Sequence, residues 1–285
     1  MGGYSLRRST ALLLLGPVIA VVFVGYVLPG LALLAISLNV PLKWPVTFAT
    51  LDLSGYRKLV ADVYYARILG YTLLLGLIVS AITAVIAFPV AYYLARSQSK
   101  LKSLYAVLTF TPLAVGMNML TLGWLVILGR NGFINSVLTG TGVIDHPLQL
   151  LYGMGAVVLG LVHVVFTFMV LPVEAVIRQI DPALEKAARI LGATPFATFV
   201  RVLLPLSMQG IASGFLIVFL QVCGAFVLPL LLGGQGFSLV PISIWEQMTV
   251  ASDRQLAAVL SIALILVSLV VMVLQLRVSR GRAMA

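Results

Sequence analysis

The stretch Asp181-Pro182-Ala183-Leu184-Glu185-Lys186-Ala187-Ala188-Arg189-Ile190-Leu191-Gly192-Ala193-Thr194-Pro195-Phe196, continuing to Leu204-Pro205, decides how the rest of the chain is read. Asp181 is a helix N-cap, because its carboxylate accepts from the free backbone N–H groups of the first turn. Pro182 then falls at the first helical position, where a missing N–H costs nothing. Leu184, Ala187, Ala188 and Leu191 follow at helical spacing and form one apolar stripe with two alanines at its centre. Gly192 stands where a left-handed residue would end the helix. Thr194-Pro195 reads as a second cap and restart. The pattern predicts a two-turn helix, a glycine elbow, and a second helix leading to Pro205. A small apolar face of this kind lets another surface approach closely.

On either side the chain is greasy. Of 285 residues, 61% are hydrophobic and 9% charged, against roughly a quarter charged in soluble domains. The reading is an all-α polytopic membrane protein with six transmembrane helices, each long enough for the ~20 residues a bilayer requires. The spans are predicted at 11–38, 68–94, 104–128, 150–177, 210–232 and 256–276. The stretch above lies between the fourth and fifth. The first apolar run exceeds a signal-peptide core and has no evident cleavage site, so it is read as a retained span, and Arg7-Arg8 as a topogenic pair. Two regions are expected: 1–66, an N-terminal span with an external loop, and 67–285, a core of five spans that includes 181–205. Short helices are expected at 53–63 and 242–248, and 129–149 reads as a polar loop.

Net charge is +10. The basic residues flank apolar runs and form no aromatic-rich patch, which argues topology and not nucleic acid. With both termini inside, twelve of the 18 Lys and Arg, among them Arg96, Lys100, Lys102, Arg178, Lys186 and Arg189, lie on the inner side. That places the 181–205 loop in the cytoplasm. Cys223 is the single cysteine, so no internal disulfide forms.

The sequence offers no catalytic residues, no metal site and no cofactor. It lacks a Gly-x-x-x-x-Gly-Lys-Ser/Thr phosphate loop, and its two histidines, His146 and His163, lie in different segments without a Cys/His cluster. Polar residues within spans are the informative exceptions. Asn118, Thr121, His163, Thr167, Gln209, Ser213 and Gln221 either face a solute path or bond a neighbouring helix. Glu174 and Glu246 lie near span ends, and Glu246 is a candidate to admit a cation from outside. The substrate-path candidates are therefore Asn118, Thr121, His163, Gln221 and Glu246.

Glu185-Lys186-Ala187-Ala188 with Leu191-Gly192-Ala193, then Phe199, Val202 and Leu204-Pro205, resembles the Glu-Ala-Ala loop of ATP-binding-cassette importer permeases. Counting back from Gly192 sets Ala187-Ala188 on that pattern's alanines and Lys186 on its glutamate position, with Glu185 one residue early. The segments 88–96, 132–135 and 231–234 resemble the spermidine/putrescine-type branch. Before Trp124, however, the third span has Met119-Leu120-Thr121-Leu122-Gly123, where that branch often carries an arginine.

The resemblance implies a permease subunit in the bacterial inner membrane, translocating a small polar, amine-containing solute. It also implies a dimer of ATP-binding subunits, a second permease chain, an external substrate-binding protein, and no enzymatic activity in this chain. On this basis Glu185, Lys186, Ala187, Ala188, Leu191, Gly192, Ala193 and Pro205 are the expected coupling residues. The substrate stays open among a polyamine, an amino-acid-like amine and an aminophosphonate. The rival readings are an ion-coupled secondary carrier, disfavoured because span centres lack acidic residues, and a membrane scaffold.

Overall fold

The computed structural model describes residues 16–40, 51–234 and 236–283, and among these all regular structure is helical. Arg7, Arg8, Lys43, Trp44 and Pro45 lie outside the described residues. The helices are α1 (Gly16–Ser37), α2 (Ser54–Ala61), α3 (Val63–Arg96), α4 (Lys102–Val115), α5 (Met117–Leu128), α6 (Phe133–Gly140), α7 (Met154–Gln179), α8 (Pro182–Ile190), α9 (Pro195–Cys223), α10 (Val227–Gly233), α11 (Val240–Thr249) and α12 (Arg254–Ala283). Five of them, α1, α3, α7, α9 and the apolar part of α12, are long and apolar enough to cross a membrane. A sixth crossing is made if α4 and the chain after it count as one broken span.

Two compact units divide the chain. The first takes the described residues before Arg67 together with Ser243–Ile265, and the second takes Arg67–Ile242 with the chain from Leu266 onward. In the first unit α2 is pinned by polar contacts. The Asp52 carboxylate accepts from the Ser54 N–H (2.8 Å) and hydroxyl (2.6 Å), and these donors hold its pKa below the usual carboxylate value. Tyr56 bonds Ser37 (2.8 Å), Lys58 pairs with Asp253 (3.2 Å), and the Gln255 amide donates to the carbonyl of Asp52 (2.9 Å).

The second unit is built around α7. Leu161, Val165, Met169, Val170 and Val173 are fully buried on it, against Leu75 and Val79 of α3, Val218 of α9, and Leu228 and Leu232 of α10. Lipid is as apolar as leucine, so close packing and not water avoidance holds such helices together. Gly210 and Gly214, four residues apart on α9, supply that packing. A Cβ on Gly210 would lie 2.8 Å from the Pro172 carbonyl oxygen and 3.0 Å from Val173 Cα, and one on Gly214 would lie 2.7 Å from Met169 Sδ. Thr167 donates to the Thr109 carbonyl of α4, and Gln275 of α12 to the Ala212 carbonyl of α9.

The helices depart from the predicted spans where local backbone chemistry overrides hydropathy. The third span is not straight. Lys102–Val115 and Met117–Gly140 meet at 103°, at Gly116, whose φ of 80° and ψ of 151° no right-handed helix contains. The 129–149 segment is not all loop, since it holds α6. Asn135 staples it: the buried amide donates to the carbonyls of Gly129 (3.1 Å) and Leu148 (3.0 Å) and accepts from the Leu148 N–H (2.9 Å). The fourth span begins at Met154, four residues later than predicted, behind Gly153 and the positive-φ Tyr152.

The fifth span is displaced at both ends. It starts at Pro195, capped by Thr194 (3.2 Å to the Ala197 N–H), and runs without a stop through Pro205. A π-turn at Phe199–Leu203, closed by the Leu204 N–H on the Phe199 carbonyl, immediately precedes the proline. The wider turn accommodates a residue that has no N–H of its own to donate. The helix ends at Cys223, with Gly224 as its C-cap, and α10 is separate.

Candidate functional site

α8 is assembled as its sequence dictates. The Asp181 carboxylate accepts from the Ala183 N–H at 2.8 Å, and Pro182 fills the first position. At the other end the Ala193 N–H reaches the Ala188 carbonyl and the Gly192 N–H the Arg189 carbonyl, both at 3.0 Å. These are the paired bonds of a Schellman motif, and they require a left-handed residue at the elbow. Gly192 supplies it with φ +87°, and nothing lies within 4 Å of where its Cβ would be.

One face of α8 is fastened to the membrane helices. Glu185 is buried there, 9% exposed. Its carboxylate accepts from Tyr92 Oη at 2.8 Å and from Arg96 Nε at 3.0 Å, and Arg96 also donates through Nη2 to the Ile180 carbonyl at 2.8 Å. Arg96 thus bridges the end of α3, the turn before α8, and α8 itself. Charge-assisted bonds of this geometry are roughly twice as strong as neutral ones. The displaced glutamate is therefore a structural anchor. The sequence did not join Arg96 and Tyr92 to Glu185, because 89 and 93 residues separate them from it and no local pattern links them.

The opposite face is bare. Leu184, Ala187 and Leu191 are exposed and Ala188 is half-buried, so the predicted stripe exists and covers nothing in this chain. Ile190 and Leu191 are 85% and 86% exposed. Lys186 is exposed beside them. Ala193 is half-buried past the elbow, and Pro205 is exposed on α9. Between α3, α8 and α9 lies a mostly apolar crevice of about 750 Å³, lined by Phe88, Tyr92, Phe199, Leu203 and Met208, with Glu185 and Arg189 at its polar end.

The polar residues of the spans fall into two groups. Thr121 is fully buried and its hydroxyl is taken by the Met117 carbonyl (2.8 Å). Thr167 is likewise consumed in packing. His163 is half-buried and accepts from Trp124 Nε1 through Nδ1 at 3.1 Å, ring edge to face. Glu174 pairs with Arg178 one turn away. By contrast Asn118, Gln209, Ser213 and Gln221 are exposed. Gln209, Ser213 and Gln221 share one face of α9 at multiples of four residues, and Asn118 follows the bend at Gly116. Glu246 is half-buried on α11. Thr121 and His163 lie inside the helix packing, whereas Asn118 and Gln221 are exposed.

Comparison with known proteins follows the geometry. Residues 6–283 match the family described as binding-protein-dependent transport system inner membrane component. The chain is 32% identical over 228 residues to the spermidine/putrescine transport system permease protein PotB of Salmonella typhimurium (strain SL1344), covering 80% of this chain and 79% of that one. It is equally similar to PotB of Escherichia coli (strain K12), covering 80% and 82%. Among solved structures, a chain of the bacterial alginate ABC transporter in complex with an alginate pentasaccharide-bound periplasmic protein superposes with a TM-score of 0.76 at 19% identity, covering 96% of this chain and 95% of that one. That likeness is one of fold.

Proposed function

Because the chain belongs to the family of binding-protein-dependent transport system inner membrane components, a multi-pass transport subunit and not an enzyme, we propose that it forms half the pore of an importer driven by ATP hydrolysis in a partner chain. The cargo is a small cationic amine of the polyamine type. The observation that carries this reading is α8: capped at both ends, fastened through Glu185 on one face and left apolar and bare on the other. Such an element is finished on the side that meets its own chain and waits for a partner on the other. Coupling needs a rigid body whose position differs between two states. The Glu185–Arg96 bridge and the Gly192 elbow make α8 continuous with α3 and α9. Closure of an ATP-binding dimer would carry α8 with it and turn the spans between inward- and outward-facing forms.

Two further observations support the wider assembly. Amide side chains facing hydrocarbon are costly, since lipid offers them no hydrogen bond. The exposed face of Gln209, Ser213 and Gln221 therefore belongs against a second permease chain or a water-filled path between the two. The cargo class is taken from the relatives, both named for spermidine and putrescine. An external binding protein delivers the solute, and both termini lie in the cytoplasm. The ion-coupled carrier loses ground, because Glu174 and Glu185, the buried carboxylates among the described residues, are both paired with arginines.

The test is a crosslink. A cysteine at Ala187 in a Cys223→Ser background, co-expressed with the cognate ATP-binding subunit carrying a groove cysteine, should form a disulfide whose yield changes with ATP. Absence of any such crosslink in a correctly inserted protein defeats the reading. Radiolabelled putrescine uptake that persists without an ATP-binding subunit would establish the carrier instead.

A further inference from the structure

The crevice between α3, α8 and α9 is a slot with one polar end. Along α9 it runs from Thr198 to Ile211, a rise of about 20 Å. One leaflet is half of a ~30 Å hydrocarbon core, so the slot matches an acyl chain together with its headgroup. Its middle is apolar, walled by Phe88 of α3 and by Leu203 and Met208 of α9, and Val85 on its α3 wall is 76% exposed. The polar end lies against α8, and there the charges do not balance. Glu185 is taken by Arg96 and Tyr92. The Arg189 guanidinium makes no hydrogen bond or ion pair with the described residues. Thr198, at the start of α9, lines the same crevice and is 3% exposed, and its hydroxyl has no partner among the described residues. A buried hydroxyl left unbonded is costly. Two donors therefore stand there without an acceptor.

We infer that this crevice seats one anionic phospholipid of the cytoplasmic leaflet, with an acyl chain between α3 and α9 and its phosphate on Arg189 and Thr198. A phosphate supplies the missing acceptors, and a guanidinium can hold two of its oxygens at once. Basic pockets between membrane helices on the cytoplasmic side are suited to such headgroups. A cationic amine fits poorly, because the one carboxylate of the lining, Glu185, is already paired and the free charge is positive. A second permease chain fits another face of α9. At about 100° per residue, Gln209 and Ser213 point roughly 150° away from the Leu204, Met208 and Ile211 side that lines the crevice. A lipid seated here wedges the joint where α8 meets α3 and α9, so the composition of the membrane sets how firmly that joint is held. The seat rests on the cytoplasmic placement of α8 and requires no ATP-binding partner.

The experiment uses the transporter purified with its associated chains, in nanodiscs of phosphatidylcholine containing a small fraction of phosphatidylglycerol with a photoactivatable diazirine on one acyl chain. Peptide mass spectrometry maps where the chain inserts, and phosphatidylcholine bearing the same diazirine is the control probe. The seat predicts about fivefold more labelling of the crevice residues by phosphatidylglycerol, and equal labelling by the two lipids at the exposed Leu266 and Leu269 of α12. Arg189→Gln should remove the excess and Arg189→Lys should keep part of it. Lys186→Gln, exposed on the same helix outside the crevice, should leave it unchanged. Equal labelling of the crevice by both lipids overturns the seat, because the wall then meets only bulk lipid. An unlabelled crevice beside a labelled α12 overturns it in favour of a covering protein chain. Loss of the label on adding putrescine assigns the crevice to the cargo and overturns it as well. No outcome is read through ATP or uptake, so the lipid seat and the importer function fail separately.

Discussion

Glu185 illustrates how one residue's direction assigns the work of its neighbours. Its carboxylate sits between Tyr92 and Arg96, with the ion pair only 17% and 12% exposed at the two side chains. Removing one partner of a fully buried pair costs about 3–5 kcal/mol, and less at this partial exposure. Glu185→Ala should therefore leave the protein folded but loosen α8 from α3. The expected outcome is continued ATP hydrolysis with several-fold lower uptake, read as the ratio of transport to hydrolysis in proteoliposomes. At Gly192 the constraint is of another kind. No atom crowds the missing Cβ, so the demand is on φ alone. A left-handed conformation costs an ordinary L-residue roughly 1–2 kcal/mol, asparagine less and a β-branched residue more. Gly192→Val should abolish uptake at normal membrane levels, while Gly192→Asn should retain most of it, and equal uptake by both would remove the elbow from the coupling device. Asn135 is a purely structural case. Asn135→Ala removes three hydrogen bonds and leaves the Leu148 N–H without its acceptor, while the Gly129 and Leu148 carbonyls keep backbone donors, so a loss of roughly 1–2 kcal/mol should appear as a lower melting temperature in detergent.

At the scale of elements, the joint between α7 and α9 is the most demanding in the core. Gly210 faces backbone atoms of Pro172 and Val173, which cannot swing aside as a side-chain tip would. Gly210→Leu should force the two helices apart and lower the yield of folded, monodisperse protein, whereas an exposed change such as Val85→Leu on α3 should leave it unchanged. If size-exclusion profiles of both variants match the parent, the close approach is not needed for assembly. The broken third span and the continuous fifth span carry a second lesson. Hydropathy sees only the length of an apolar run, while the backbone decides whether that run is one helix. Gly116 breaks a run that hydropathy joins, and the π-turn before Pro205 joins a run that the proline suggests is broken.

At the scale of the whole molecule, orientation can be checked directly. With Cys223 replaced by serine, a cysteine at Ser99 should react with an impermeant maleimide only from the cytoplasmic side, and one at Asp145 only from outside. The opposite pattern would put α8 outside and out of reach of any ATP-binding subunit. The native thiol is 1% exposed, so it should stay unlabelled in the intact protein.

Much of this protein was legible in its sequence because the determinants are local. A bilayer imposes apolar runs of fixed length, and caps and glycine elbows act over a few residues, so the membrane class, the position of α8, its Asp181 cap, the Thr194 cap of α9 and the apolar stripe of α8 could all be read directly. What the sequence could not order was anything joining distant positions. The use of Glu185 as an anchor depends on Arg96 and Tyr92 arriving from the far end of α3. The burial of Thr121 and His163, the exposure of Gln209 and Gln221, and the contact of Gly210 with Pro172 depend on which helices lie side by side. In an apolar medium that choice is made by shape and by scarce polar partners, quantities that exist only once the helices have packed.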